Sequence, residues 1–89
     1  MIIQDLVMGG QLCHACLATV KSGEQFLDEN GLLGLTWYEK ETHFLCNQLG
    51  PISGECYRQF QLHMKKICKH ISYHQGNIYS CDDVKFCNM

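Results

Sequence analysis

Cys46-Asn47-Gln48-Leu49-Gly50-Pro51-Ile52-Ser53-Gly54-Glu55-Cys56 is the stretch from which the fold of this chain is read. At its centre, Gly50-Pro51 stops a helix: proline lacks the amide hydrogen that a helix interior needs, and glycine accepts backbone angles that other residues avoid. Pro51 is the chain's single proline, and helical patterns lie on both sides of it. A bridge from Cys46 to Cys56 would close the turn and clamp the helix before it to the helix after it.

Upstream, Leu35, Tyr38, Thr42, Leu45 and Leu49 recur at intervals of three and four, the inward stripe of a helix. Leu33, Trp37 and Phe44 project from a second face of the same segment, so this helix is expected to have two apolar neighbours: the core on one side, and more core, a partner chain or lipid on the other. Asp28 or Asn30 is expected to cap its start, and Gly50-Pro51 to end it. Downstream, Ser53 is the expected N-cap of a third segment whose stripe is Tyr57, Phe60, Met64, Ile67, Cys68 and Ile71. Two helices can share this span, because a bend does not show in spacing. Its other face is basic. Arg58, Lys65, Lys66 and Lys69 stand there with His63, His70 and His74 nearby, no acidic residue occurs between Cys56 and Cys81, and Leu62 points out among the lysines.

Further out, Ile3, Leu6, Val7, Gly10, Cys13, Leu17 and Val20 trace a first helix that Ser22-Gly23 is expected to break. Cys13 and Cys16 lie toward one edge of this stripe and His14 at the other. Gly76 and Asn77 interrupt the third pattern, and a short last element carries Val84, Phe86 and Cys87.

Seven cysteines in 89 residues, about 8%, mark a small disulfide scaffold from an oxidising compartment, either secreted or lysosomal and vesicular. Six of them allow fifteen pairings, among which sequence alone does not choose. Cys13 and Cys16 sit one helical turn apart, so a bond between them would constrain little, and bridges to the chain's far end constrain more. If the last segment lies antiparallel to the first, nested bridges follow, from Cys13 to Cys87 and from Cys16 to Cys81. Three residues at one end and six at the other do not match on straight helices, so the stretch from Cys81 to Cys87 is expected to bend. Cys68 falls inside an apolar stripe and reads as a free thiol serving as core.

The whole pattern, C-x2-C, 29 residues, C-x9-C, 24 residues, C-x5-C, resembles the saposin-like (saposin B-type) family in order and in gap lengths, and the Cys46–Cys56 stretch looks like that family's central hairpin. The resemblance covers Cys13 to Cys87 and implies one domain over residues 1–89. It implies an all-α fold of four to five amphipathic helices in two leaves, with three disulfides paired as Cys13–Cys87, Cys16–Cys81 and Cys46–Cys56. It also implies lipid binding, since members bind phospholipid or sphingolipid, present lipids to hydrolases, fuse or disrupt membranes, or form antimicrobial pores. Two departures stand out: the seventh cysteine, and the lack of an Asn-x-Ser/Thr glycosylation site.

The expected function is therefore a secreted protein that binds anionic membranes and promotes fusion or disruption at acidic pH. Contact would run through Arg58, Leu62, Lys65, Lys66 and Lys69, with Leu33, Trp37 and Phe44 entering the interface. His14, His63, His70 and His74 are the expected acid-sensitive groups, because charging all five histidines would carry the formal charge from −2 towards +3. A soluble lipid carrier or activator of a lipid hydrolase is the alternative, with bound lipid and a homodimer both compatible with it. A zinc module is a distant third: Cys13-x2-Cys16 and His70-x3-His74 supply both halves of a Cys2His2 set, but the separation is far longer than the roughly 12–15 residues of compact fingers. No nucleophile sits in a recognisable elbow, so no enzyme and no cofactor are expected, and four cations without interleaved stacking aromatics argue against nucleic acid. The opening Met-Ile-Ile-Gln-Asp lacks the long apolar stretch of a signal peptide, and the chain is expected to be a mature domain.

Overall fold

A computed structural model describes the backbone of residues 2–87 and the side chains of residues 10–87. The Ile3, Leu6 and Val7 part of the first stripe lies outside the described side chains. The fold is all-α, with helices α1 (Ile2–Asn30), α2 (Leu35–Asn47), α3 (Ser53–Leu62), α4 (Met64–Ser72) and α5 (Asn77–Asp83), and a 3-10 turn over Gly50–Ile52. At about 1.5 Å per residue α1 is about 43 Å long, so it alone spans the 42 Å long axis of the molecule.

The first correction concerns Ser22-Gly23, which does not break α1. Gly23 is buried in mid-helix where α4 and α2 press on it: a Cβ built there would lie 2.7 Å from Ile71 Cδ1 and 2.9 Å from Trp37 Cη2. This glycine serves close approach and not termination. The helix ends instead at Gly31, whose φ of 82° is left-handed and whose N–H reaches Leu27 O at 2.8 Å. Asp28 and Asn30 thus belong to the last turn of α1 and cap nothing downstream; α2 starts behind Gly34, which gives no side-chain cap.

Near Pro51 the proline opens a 3-10 turn, and Ser53 is already the first residue of α3, not its cap. Helix α2 also stops earlier than expected, at Asn47, where Gln48 and Leu49 turn back on Leu45 O and Cys46 O. The third segment is two helices, as the spacing allowed. They meet at His63, whose φ of −105° and ψ of 15° leave helical geometry.

Bridges join Cys13 to Cys87, Cys16 to Cys81 and Cys46 to Cys56, the arrangement that the resemblance implies. Helix α5 runs antiparallel to α1, from Gly76, whose N–H donates to Glu24 Oε2 at 3.0 Å, to Cys81 against Cys16. The expected bend follows. The Phe86 N–H reaches Cys81 O and the Lys85 N–H reaches Asp82 O, a Schellman cap with Lys85 at φ 69°, and this turn swings Cys87 onto Cys13.

Tyr38, Phe60, Ile67, Ile71 and Val20 fill the middle and are fully buried. The Tyr38 hydroxyl donates to Phe60 O at 2.6 Å, a carbonyl in the last turn of α3 that the helix leaves unpaired, and burial raises the phenol's pKa. Phe60 packs edge-on against Phe86 with centroids 5.0 Å apart, so α3 rests on the turn after α5. Within the inward stripe of α2, Tyr38 and Thr42 are buried, Leu45 and Leu49 are half-buried, and Leu35, expected inside, is 60% exposed.

Candidate functional site

Helix α4 turns Ile67, His70 and Ile71 inward. Three- and four-residue spacing then places Lys65, Lys66, Lys69 and Tyr73 along one outer face, all four exposed, while exposed Leu62 lies across the bend at His63, at the end of α3. The Lys69 ammonium stands 5.9 Å from the centre of the Tyr73 ring, a cation–π contact. Among the described residues the ion pairs are Arg58–Glu55, His70–Asp83 and His74–Asp28, so the three lysines of this face carry no carboxylate partner within 4 Å.

Arg58 differs. Its guanidinium makes two hydrogen bonds to Glu55, at 2.7 and 3.2 Å, and Gln59 adds a third to the same carboxylate. The bonds from Arg58 and then Gln59 hold the Glu55 carboxyl below its usual range, and Glu55 in turn raises the guanidinium's pKa. Arg58 is therefore a compensated charge. Glu55 lies one residue before the acid-free interval, and only the helix turn shows that it reaches Arg58.

The second apolar face of α2 also divides. Leu33 and Trp37 pack against the core, and Trp37 stacks on Phe26 with centroids 5.7 Å apart. Phe44 alone of the three is exposed. For Leu33 and Trp37 the second apolar neighbour is thus more of the protein's own core.

The four histidines stand in four environments. His14 is exposed and borders a cleft of about 310 Å³ between α1 (Gly10, Ala15, Ala18) and the end of α2 with the turn that follows it (Leu45, Leu49). His63 meets Phe86 edge-on at 5.3 Å. His70 is buried, with Nδ1 hydrogen-bonded to Gln75 Oε1, Nε2 donating to Asp83 Oδ2 at 2.9 Å, and Tyr79 edge-on at 5.4 Å. The bond from His70, helped by the charges of Lys66 and Lys85, keeps the Asp83 carboxyl below its ordinary range. His74 sits at φ 54°, with Nε2 3.8 Å from Asp28 Oδ1.

Cys68 is free and half-buried against the core, less enclosed than its stripe position suggests. Burial pushes its thiol up, which favours the unreactive protonated form. Cys13 and Cys16 are spent in disulfides, and among the described residues no three His, Cys, Asp or Glu side chains converge on a metal position. Sequence reasoning missed Leu32, Leu35, Tyr73, Ile78 and Tyr79 as exposed apolar groups. Their one signal was adjacency to Gly31, Gly34 and Gly76, the punctuation of two turns.

Three disulfides are the mark of an oxidising compartment, extracellular or vesicular. No helix of the described residues is long and apolar enough to cross a membrane. Compared with protein families, curated proteins and solved structures, the chain matches none.

Proposed function

We propose that this chain is a saposin-like, secreted or lysosomal protein that binds anionic phospholipid or sphingolipid membranes and promotes their fusion or disruption in acid. The observation that carries the reading is the outer face of α4, where Lys65, Lys66 and Lys69 are exposed with no carboxylate within 4 Å and are flanked by exposed Leu62 and Tyr73. Each lysine near an anionic surface adds about 1 kcal/mol, so three supply about a hundredfold in partition, and the flanking apolar side chains enter the interface. The chain's five histidines would carry its formal charge from −2 towards +3 if all were protonated, which favours an anionic surface in acid.

The α1–α2 cleft supports a second reading, a soluble carrier or hydrolase activator, since its walls are largely apolar and its volume falls at the low end of ligand pockets. Vesicle co-sedimentation and dye leakage at pH 5 and pH 7.4, with and without phosphatidylserine, separate the two. Membrane action requires binding to the anionic vesicles, stronger at pH 5 and weakened about a hundredfold in a Lys65→Gln/Lys66→Gln/Lys69→Gln variant. No vesicle binding at either pH, with lipid extracted from the natively purified protein, selects the carrier. No vesicle binding and no lipid refutes both.

A further inference from the structure

We infer that the corner between α4 and α5 is a clasp that acid closes: His70, when both ring nitrogens carry protons, binds Gln75 and Asp83 at once, and a neutral ring binds only one of them as they stand. The corner begins as a helix end. The Gln75 N–H reaches His70 O at 3.2 Å and the His74 N–H reaches Ile71 O at 3.0 Å, a Schellman cap with His74 at φ 54°. Such a cap brings its first and last side chains together, here His70 and Gln75, where an apolar pair is usual. This pair is polar, with His70 Nδ1 on Gln75 Oε1. Helix α5 then brings Asp83 Oδ2 to 2.9 Å from Nε2 and sets Tyr79 edge-on at 5.4 Å. Partners from two elements thus converge on an imidazole that is only 11% exposed.

Donor arithmetic makes the arrangement sensitive to one proton. A carbonyl oxygen and a carboxylate only accept, so each ring nitrogen needs a hydrogen to bind the partner it faces. The charged imidazole has two, and both bonds are then charge-assisted. A neutral ring has one. With that hydrogen on Nε2 for Asp83, the bare Nδ1 lies against the Gln75 carbonyl oxygen, and Gln75 must turn its amide or withdraw. With it on Nδ1, the bare Nε2 faces a carboxylate, which is worse. Gln75 is exposed and stands between two left-handed residues, His74 and Gly76 at φ 88°, so its bond to His70 holds down a turn that His74, lacking glycine's freedom, adopts unwillingly. Other charged groups surround the corner. Lys66 and Lys85 act with the His70 bond to hold the Asp83 carboxyl below its ordinary range, which keeps this acceptor ionised in mild acid. The lysines disfavour a further positive charge nearby, whereas the Asp83 carboxylate, in direct contact with the ring, favours it. Glu24 of α1 accepts from the Gly76 N–H, Asp28 faces His74 at 3.8 Å, and Asp82 borders the same surface hollow as Gln75.

Nitrogen NMR of the histidine rings and hydrogen exchange of α5, both at pH 5 and pH 8 on the disulfide-bonded protein, test the clasp. Both His70 nitrogens should carry protons at pH 5 and only one at pH 8. The Ser80 and Val84 amides, which close α5, should be protected at least about tenfold more at pH 5 once intrinsic exchange is divided out. His70→Gln, neutral at both pH values, should abolish that difference. His74→Asn, which tolerates the left-handed backbone and removes the pair with Asp28, should leave it. Gln75→Leu, at an exposed position, should shrink the difference and supplies the test if the buried variant does not fold. The clasp is refuted by a ring that holds the same protons at both pH values or by equal protection at both. It is refuted equally by a pH response that survives His70→Gln or Gln75→Leu undiminished, or that vanishes in His74→Asn.

Discussion

The chain's two ends are tied to each other twice, while the α2–α3 hairpin is closed by one bridge and leans on α1 through packing. Helix α5 has seven residues, too few to hold helical structure alone, yet it is fixed by Cys16–Cys81, by the turn that carries Cys87 to Cys13, and by Asn77 Nδ2 donating to Leu17 O. The hairpin helices are longer. They rely on the Cys46–Cys56 bridge, the Tyr38 hydroxyl on Phe60 O, and the contact of Trp37 with Gly23 and Phe26. Covalent ties stand where the elements are shortest, and packing suffices where the helices can bury a stripe.

Removing bridges breaks this comparison most severely. Sequence separations of 74 and 65 at the chain ends and 10 at the hairpin translate, by loop entropy, to about 4.4 kcal/mol for either end bridge alone and about 2.7 for the hairpin bridge. Once one end bridge is in place the other closes only a short loop and adds about 2.6 kcal/mol, so the pair is worth about 7. Small domains have about 5–15 kcal/mol in total. Cysteine-to-serine replacement of both end bridges should therefore leave a chain unfolded or nearly so in far-ultraviolet circular dichroism. Cys46→Ser/Cys56→Ser should fold and melt at lower temperature. Equal losses would show that the hairpin depends on its bridge as much as the ends do.

Packing at the junction of the two regions is tested by a pair of glycines in α1. Gly23→Ala puts a methyl group within 3 Å of Ile71 and Trp37 and should cost about 1–3 kcal/mol despite alanine's better helix propensity. Gly10→Ala meets nothing within 4 Å and should gain up to about 1 kcal/mol from the same propensity. Urea denaturation of the two variants measures both. A neutral Gly23→Ala would mean that Trp37 yields easily, and that the hairpin is more loosely held than its geometry indicates.

Gly23 also shows where sequence reading stops. Glycine punctuates helices often enough that Ser22-Gly23 reads as a break, and the partners that need the missing side chain, Trp37 and Ile71, are remote in the chain. The frame of helices was legible because Cys13, Cys16, Cys46, Cys56, Cys81 and Cys87 sit among stripes spaced by three and four. Even the bend before Cys87 followed from unequal gaps. The candidate site was half legible: the lysines of α4 are periodic and local, whereas the compensation of Arg58 depends on a rotamer of Glu55. Leu33 and Trp37 read on a helical wheel as a face with an unnamed neighbour, because a wheel carries no information about which neighbour covers it.

The smallest effect is expected at Asp83, where α5 is braced to α4 by His70. Its carboxyl titrates below the ordinary aspartate value of about 3.9 chiefly because His70 donates to it, so at moderately acid pH the unfolded chain binds a proton more readily than the folded one. The stability from this bond is present above about pH 4 and is lost as pH falls through the lower, folded value. Asp83→Asn should melt below the parent at pH 5 to 7, and the difference should shrink as pH falls from about 4 towards 2. Hydrogen exchange at pH 5 should show the variant loosened in α5 and unchanged in α2, because the brace belongs to the doubly tied region. A uniform loosening would mean that the two regions unfold as one. This window lies below pH 5, so the parent's brace is intact where acid-promoted membrane binding is expected.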